Sequence, residues 1–282
     1  MTATVGPGHP EAETTPEVDM SPYGGSFSDL HVAKFKSSAI DPDVTRARGY
    51  REVLDVAQLE RAGFSKAQCR VPGLLIPLFD AYGGNAGYQY RPDHPRSPGG
   101  KVVKYDTRKG QNMVLDVPPM AHPHLGDPAV TLWITEGPMK ADSAISNGID
   151  CCIALPGVWN FKGKNTKGGS TVLADWDAIH LKDGRQVVIA FDSDALTKTS
   201  VYDAAKRLAG MLKKRGADVQ FCLLPDDPEG EKVGLDDFFA AGGAVEQLYG
   251  LISDNPGDRP TPPPERRTRR DRWPPPHRDG QR

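Results

Sequence analysis

The chain has 282 residues, with 35 Lys and Arg against 37 Asp and Glu and a formal net charge of −2. That length holds one large domain or two small ones, and the near-neutral balance excludes binding of nucleic acid through bulk charge, so any basic surface must be local. No apolar run approaches the roughly 18 residues of a membrane span and no signal-peptide pattern is present, so the expectation is a soluble, cytoplasmic protein with no membrane partner.

Residues 1–20 carry Glu11, Glu13, Glu17 and Asp19 without a Lys or Arg, and such a segment buries too little to fold alone. Residues 45–116 read as a small strand-rich subdomain. A helix is expected over 51–62, closed by Gly63, then strands at 74–79 (LLIPLF), 88–91 and 101–105 (KVVKY), with turns at 80–87 and 98–100. Its outward positions collect Arg91, Arg96, Lys101, Lys104, Arg108 and Lys109, with Tyr88, Tyr90 and Tyr105 between them. Basic groups interleaved with aromatics suit a phosphate backbone with stacked bases; the alternative is an ordinary solvated face.

A proline cluster at 117–126 blocks helix and ladder alike and divides the chain. Residues 129–254 then alternate strand and helix. Strands are expected at 131–135 (TLWIT), 149–155, 186–191 (QVVIAF) and 219–224. One helix runs from Pro138 to Gly148 and another over 201–215, the latter with a Ser200–Asp203 capping box and Gly216 as its stop. This alternation implies a parallel sheet covered on both faces. Cys151 and Cys152 read as small buried hydrophobes on opposite faces of a strand, and the absence of a C-x-x-C pair excludes a zinc ribbon in this chain. Residues 255–282 hold eight Pro and eight Arg against four acids, a basic tail expected to be disordered.

In open α/β sheets the working residues gather just beyond the C-terminal ends of the strands. Glu136 follows TLWIT there, and Asp192 and Asp194 follow QVVIAF. In extended chain, residues i and i+2 face one side, so the two aspartates can address one site. Carboxylates crowded around one point repel, and hard oxygens suit Mg²⁺, or Mn²⁺ in its place. The alternative is that Glu136 and Asp194 cap helices. Residues 157–165 fail as a P-loop, since Asn165 stands where Ser or Thr must be, and no G-x-G-x-x-G follows a strand.

Glu136-Gly137 with Asp192-Ser193-Asp194 resembles the Toprim domain of bacterial-type DNA primases, topoisomerases and some nucleases. Together with LLIPLFDAYGG, YQYRPDHPR, KVVKYDTRKGQ, ITEGPMKADSA, LPGVWNF, IAFDSDA and VGLDDFFAAGG, across residues 50–243, the chain resembles a Toprim-like family of plasmid, phage and integrative-element replication proteins related to the primase catalytic core. The resemblance implies a Toprim-like α/β fold and Mg²⁺-dependent phosphoryl or nucleotidyl transfer on nucleic acid, primer synthesis above all. Glu136, Lys140, Asp192 and Asp194 would be catalytic, and Glu136, Asp192, Asp194 and Asp236 would bind metal. Lys104, Tyr105 and Lys109 match the basic stretch that holds template and primer, beside Arg91 and Lys101. The implied partners are a single-stranded DNA or RNA template, nucleoside triphosphates and a replicative helicase. Lys140 stands where primases usually place an Asp, which favours phosphate positioning over a second metal. Asp236 and Asp237 either join the metal site or cap the short helix before Gly242. A Toprim nuclease and a non-catalytic nucleic-acid-binding subunit remain the other readings.

Overall fold

A computed structural model of the chain describes residues 22–23, 27–100, 102–164 and 168–261. The acidic segment 1–20, Lys101 and the Pro/Arg-rich segment from residue 262 onward lie outside the described residues.

Two short helices open the described chain. Helix α1 spans Asp29–Lys36, and α2, Pro42–Arg48, has Pro42 in its first turn and stops at Gly49, whose φ of 73° suits glycine. A four-stranded antiparallel sheet follows in the order β1-β2-β3-β4. It consists of β1 (Arg51–Val53), then, after helix α3 (Val56–Arg61), β2 (Gly73–Phe79), β3 (Asn85–Pro92) and β4 (Asp106–Thr107). Two expectations fail here. Residues 51–53 pair with β2, Arg51 opposite Leu75, so the first turn of the expected helix is strand and only 56–61 is helical. Of KVVKY, Val103 makes only an isolated bridge to Arg96, because 106–107 takes the ladder beside β3.

Strand β2 is buried on both faces. Leu75 packs with Val53, Leu59, Phe64 and Tyr90 on one side, and Leu74 and Ile76 pack with Phe35, Val44 and Tyr50 of the helical arm on the other. On β3, Tyr90 lies opposite Leu75, whereas Arg91 and Gln89 lie opposite Leu74 and Ile76. The alternation of a strand thus sends the tyrosines of YQYR to one face and Gln89 and Arg91 to the other.

The second sheet has five strands in the order β11-β10-β9-β5-β6. In chain order these are β5 (Leu132–Glu136), helix α4 (Pro138–Ser146) and β6 (Cys152–Leu155). A small hairpin of β7 (Lys162–Lys164) and β8 (Ser170–Val172) intervenes. Then come β9 (Gln186–Ile189), helix α5 (Thr199–Lys214), β10 (Asp218–Cys222), helices α6 (Leu235–Ala240) and α7 (Val245–Tyr249), and β11 (Ile252–Ser253). Strands β6, β5, β9 and β10 are parallel, and β11 adds an antiparallel edge. One face of this sheet packs on α5 through Val201, Ala205, Leu208 and Leu212. The other packs on α4, α6 and α7 through Ala141, Ala144, Leu235, Phe239 and Leu248. Cys151 and Cys152 fall in these two separate cores, both fully buried. The parallel sheet flanked by helices, preceded by a strand-rich part, is the α/β architecture read from the sequence.

The proline cluster is a packed joint. Leu115 and Val117 are fully buried, Asp116 exchanges both backbone hydrogen bonds with Ala154 of β6, and Val117 N–H donates to the Phe79 carbonyl of β2. One peptide thus touches both sheets. The expected Ser200–Asp203 capping box does not form; α5 begins at Thr199 with no side-chain cap, and Asp203 accepts two hydrogen bonds from Arg259 at 2.8 Å. Residues 255–261, read as part of the tail, therefore lie along α5, where Tyr202 and Thr199 donate to the Gly257 and Pro260 carbonyls. Among the described residues no helix is long and apolar enough to cross a membrane.

Candidate functional site

Consecutive connections in the second sheet run in opposite directions from its centre: β5 leads through α4 outward to β6, and β9 leads through α5 outward to β10. The crevice between the C-terminal ends of β5 and β9 is therefore a topological switch point, where such sheets bind ligands. Glu136 ends β5, and Asp192 lies three residues past Ile189, the last of β9. Gly137, with φ 87°, makes the sharp exit into α4 that a residue with a side chain would adopt only under strain. That turn brings Lys140, in the first turn of α4, over the crevice.

The opposite wall comes from the first sheet and α1. Gln89 and Arg91 of β3, Thr107 of β4, Lys104, Tyr105 and Lys34 face Glu136, Lys140, Asp192, Lys232, Asp236 and Asp237 across a cleft of about 450 Å³. Arg91, Lys104, Tyr105, Glu136, Lys140, Asp192 and Asp236, singled out from the sequence, are thus brought together. Lys109 is exposed and outside the lining, and Lys101 is outside the described residues. Lys34 and Lys232 escaped the sequence reading.

Asp192, only 1% exposed, is the centre of the charge pattern. Lys140 Nζ donates to its Oδ1 and Oδ2 at 2.5 and 2.7 Å, and Lys232 Nζ to Oδ2 at 2.6 Å. Burial alone would raise the Asp192 carboxyl, but the two ammonium groups outweigh it and hold it below its ordinary value. Burial likewise works against a charged Lys140, and Asp192 reverses the sign, raising its pKa. Glu136 makes no side-chain hydrogen bond or ion pair among the described residues; burial, then the nearby Asp192, raises its pKa. Burial also raises Asp236, against the pull of Lys140. Lys34 is lowered by burial and by Arg91 and Lys104 near it, against Asp236 and Asp237. The Arg91 guanidinium lies 6.0 Å above the Tyr105 ring, and the Tyr105 hydroxyl donates to Met139 Sδ at 3.5 Å.

The helix-cap alternatives divide cleanly. Asp237 accepts from Gly234 N–H at 2.9 Å as the capping residue of α6, whereas Asp236 turns into the cleft. Glu136 caps nothing, since α4 has no side-chain cap. Asp194 is a correction. The chain leaves β9 at Ile189 and turns into a short 3₁₀ helix, Ser193–Leu196, so the extended-chain geometry that would align Asp192 with Asp194 is absent. Asp194 pairs with Lys198 at 2.7 Å and lies 3.9 Å from Lys232, outside the cleft lining.

The donor chemistry of the expected metal ligands suits a hard cation, and Asp194 Oδ1 and Asp236 Oδ1 are buried oxygens without a hydrogen-bond partner among the described residues. Their arrangement does not fit. Among the described residues no three acidic, histidine or cysteine side chains are placed to hold one ion, and Asp192 is already bound by two lysines. Glu136, Asp192, Asp194 and Asp236 do not assemble into the metal site read from the sequence.

Residues 124–246 match the model of a family described as a domain of unknown function (DUF3854). No curated protein matches the chain by sequence. Among solved structures, the Aquifex aeolicus primase (zinc-binding and RNA polymerase domains) superposes with a TM-score of 0.56 at 17% identity, over 80% of this chain and 56% of that one. The chain has the fold of a bacterial primase catalytic core. The DnaG catalytic core gives a TM-score of 0.54 at 15% identity over 79% of this chain and 73% of that one. The E. coli primase catalytic core gives 0.52 at 15%, over 79% and 72%. The chain thus spans little more than half the length of the Aquifex primase, and at these identities the likeness is one of fold. In this primase-core fold the cleft lies between the strand-rich part and the parallel sheet.

Proposed function

We propose that the cleft binds single-stranded nucleic acid and a nucleoside triphosphate and joins them by nucleotidyl transfer, with primer synthesis as its most specific form. One observation carries the reading. Lys34, Arg91 and Lys104, none of which forms an ion pair among the described residues, converge on a switch-point crevice that holds a free carboxylate, Glu136, and two lysines centred on Asp192. Unpaired cations crowded together call for a polyanion. A DnaG primase catalytic domain of the same fold, 14% identical with a TM-score of 0.54 over 79% of this chain and 72% of that one, has been solved bound to ssDNA.

In this reading Lys34, Arg91 and Lys104 hold the nucleic-acid backbone, with Tyr105 beneath the Arg91 guanidinium. Lys140 and Lys232 draw on the phosphate oxygens as negative charge builds in the transition state. Glu136 accepts the proton of the attacking 3′-hydroxyl; its raised pKa makes it a better base than an exposed carboxylate. The new bond joins that oxygen to the α-phosphorus, and pyrophosphate leaves. The mobile-element context and a helicase partner belong to the same proposal.

The test incubates the purified chain with single-stranded DNA or RNA and labelled nucleotides. Template-dependent extension, lost in Glu136→Gln, is the expected result. Strand cleavage without nucleotides would replace transfer by a nuclease activity, and tight binding with neither product would leave a non-catalytic binding protein.

A further inference from the structure

The cleft lining sets five cations, Lys34, Arg91, Lys104, Lys140 and Lys232, against four carboxylates, Glu136, Asp192, Asp236 and Asp237. A divalent ion would enter a place already in cationic excess and would have to displace an ammonium group from Asp192. An anion meets the opposite balance.

The lysines are also held in built positions. Lys140 Cε fills the space in front of Gly234, where an added Cβ would collide with it and would lie 2.9 Å from Asp236 Oδ1 and 3.0 Å from Asp192 Oδ1. Lys232 sits on a loop fastened to the D-x-D segment through its middle residue. Ser193 N–H donates to the Val233 carbonyl and Val233 N–H to Ser193 Oγ, both at 2.9 Å, and Ser193 Oγ donates to Asp226 at 2.5 Å. Two separate pieces of chain are therefore shaped to deliver two ammonium groups to one buried carboxylate, with the remaining side of each open to the cleft.

We propose that Lys140 and Lys232 stand in place of a resident divalent ion, so that the cleft binds a triphosphate directly and without metal. This rests on the reading of the cleft as a nucleotide and nucleic-acid site. A lysine ammonium is a point charge with three donors. Two donors of Lys140 are used on Asp192, which leaves capacity for phosphate oxygens. The loop bearing Lys232, whose side chain is half exposed, gives room to follow the anion. Asp192 is then a positioning residue that holds the two lysines.

The experiment is calorimetric titration of the full chain with inorganic tripolyphosphate, in EDTA and again in excess Mg²⁺. Binding in EDTA is expected, and Mg²⁺ should weaken it several-fold, because chelation cancels two of the charges the lysines recognise. Lys232→Gln should weaken it about tenfold, the scale of one charge-assisted contact. Lys140→Gln should do the same, with a melting curve to show that the fold survives loss of a partner for Asp192; the half-exposed Lys232 provides the variant that leaves the core untouched. Binding seen only with Mg²⁺, or unchanged in Lys232→Gln, overturns the inference. Single-strand affinity measured on the same protein separates the two claims: if it persists, the nucleic-acid reading stands without the metal-free site, and if it is absent that reading itself has failed.

Discussion

Arg48 is the side chain whose removal should be felt most. It is fully buried, as are the carboxylates of Asp116 and Asp142 that it joins. Its Nε and Nη2 both donate to Asp142, the latter at 2.8 Å, and Nη1 donates to Asp116 Oδ1 at 2.9 Å and to the Pro77 carbonyl at 3.0 Å. Tyr50 adds a hydrogen bond to Asp142 at 2.6 Å. These contacts tie α2, β2, the joint at Asp116 and α4 together beneath the cleft. Arg48→Met keeps much of the volume but strands two buried carboxylates, a loss of about 3–5 kcal/mol. Set against the 5–15 kcal/mol typical of a domain, that is a large fraction. The cost should depend on pH. Burial pushes Asp142 up to about 6 even with Arg48 present, and without Arg48 it should climb further. A carboxyl whose folded pKa is raised penalises folding above that pKa and ceases to do so below its unfolded value, so the variant should lose less stability at pH 5 than at pH 7.5. Urea unfolding at both values measures this. A cost under about 1 kcal/mol, or one independent of pH, would refute the account of Arg48 as the counter-charge of both carboxylates.

Four further outcomes follow from the cleft. Neutralising Arg91 and Lys104 to Gln should flatten the log-log salt dependence of single-strand binding by roughly 0.7 per lost phosphate contact; an unchanged slope returns that wall to ordinary solvated surface. Because Glu136 and Asp236 are raised, they should take up protons before exposed carboxylates as the pH falls and so tighten single-strand binding, and the Glu136→Gln, Asp236→Asn double variant should lose that response in a fluorescence-anisotropy titration. Gly234→Ala should press on Lys140 Cε and on the buried Asp236 and Asp192 carboxylates, and so both lower the melting temperature and weaken tripolyphosphate binding in calorimetry. Asp192→Asn should release both lysines and cost about 1–3 kcal/mol in chemical denaturation; a stability equal to the parent would mean those contacts carry no weight.

The switch point was legible because buried parallel strands appear as unbroken apolar runs, and the first acid after each run, Glu136 and Asp192, could be read by position. Asp194 could not, since the 3₁₀ turn that rotates it away depends on how residues 226–234 pack over Ser193. Lys34 and Lys232 gave no signal: one lies on an eight-residue helix and the other in a polar loop, and only long-range packing brings them to the crevice. The run Val53, Leu54, Val56, Ala57, Leu59 fits a helix on paper, yet pairing with β2 claims Val53 and leaves Leu54 at 69% exposure. Likewise Asp203, a plausible cap partner, is taken by Arg259, 56 residues away.

The joint at Asp116 has a practical corollary for dissecting the protein. The stretch that a family model recognises, 124–246, contains the carboxylates and two lysines of the cleft but ends short of everything on the opposite wall. Cut out alone, it would leave β6 as a bare sheet edge where Asp116 now pairs, a template for self-association. It would also strip Arg48 and Tyr50 from Asp142. The smallest piece worth expressing therefore runs from before α1 through β11, more than 100 residues longer than the segment that sequence comparison marks out. Loss of binding in anything shorter would report a broken half, not an inactive domain.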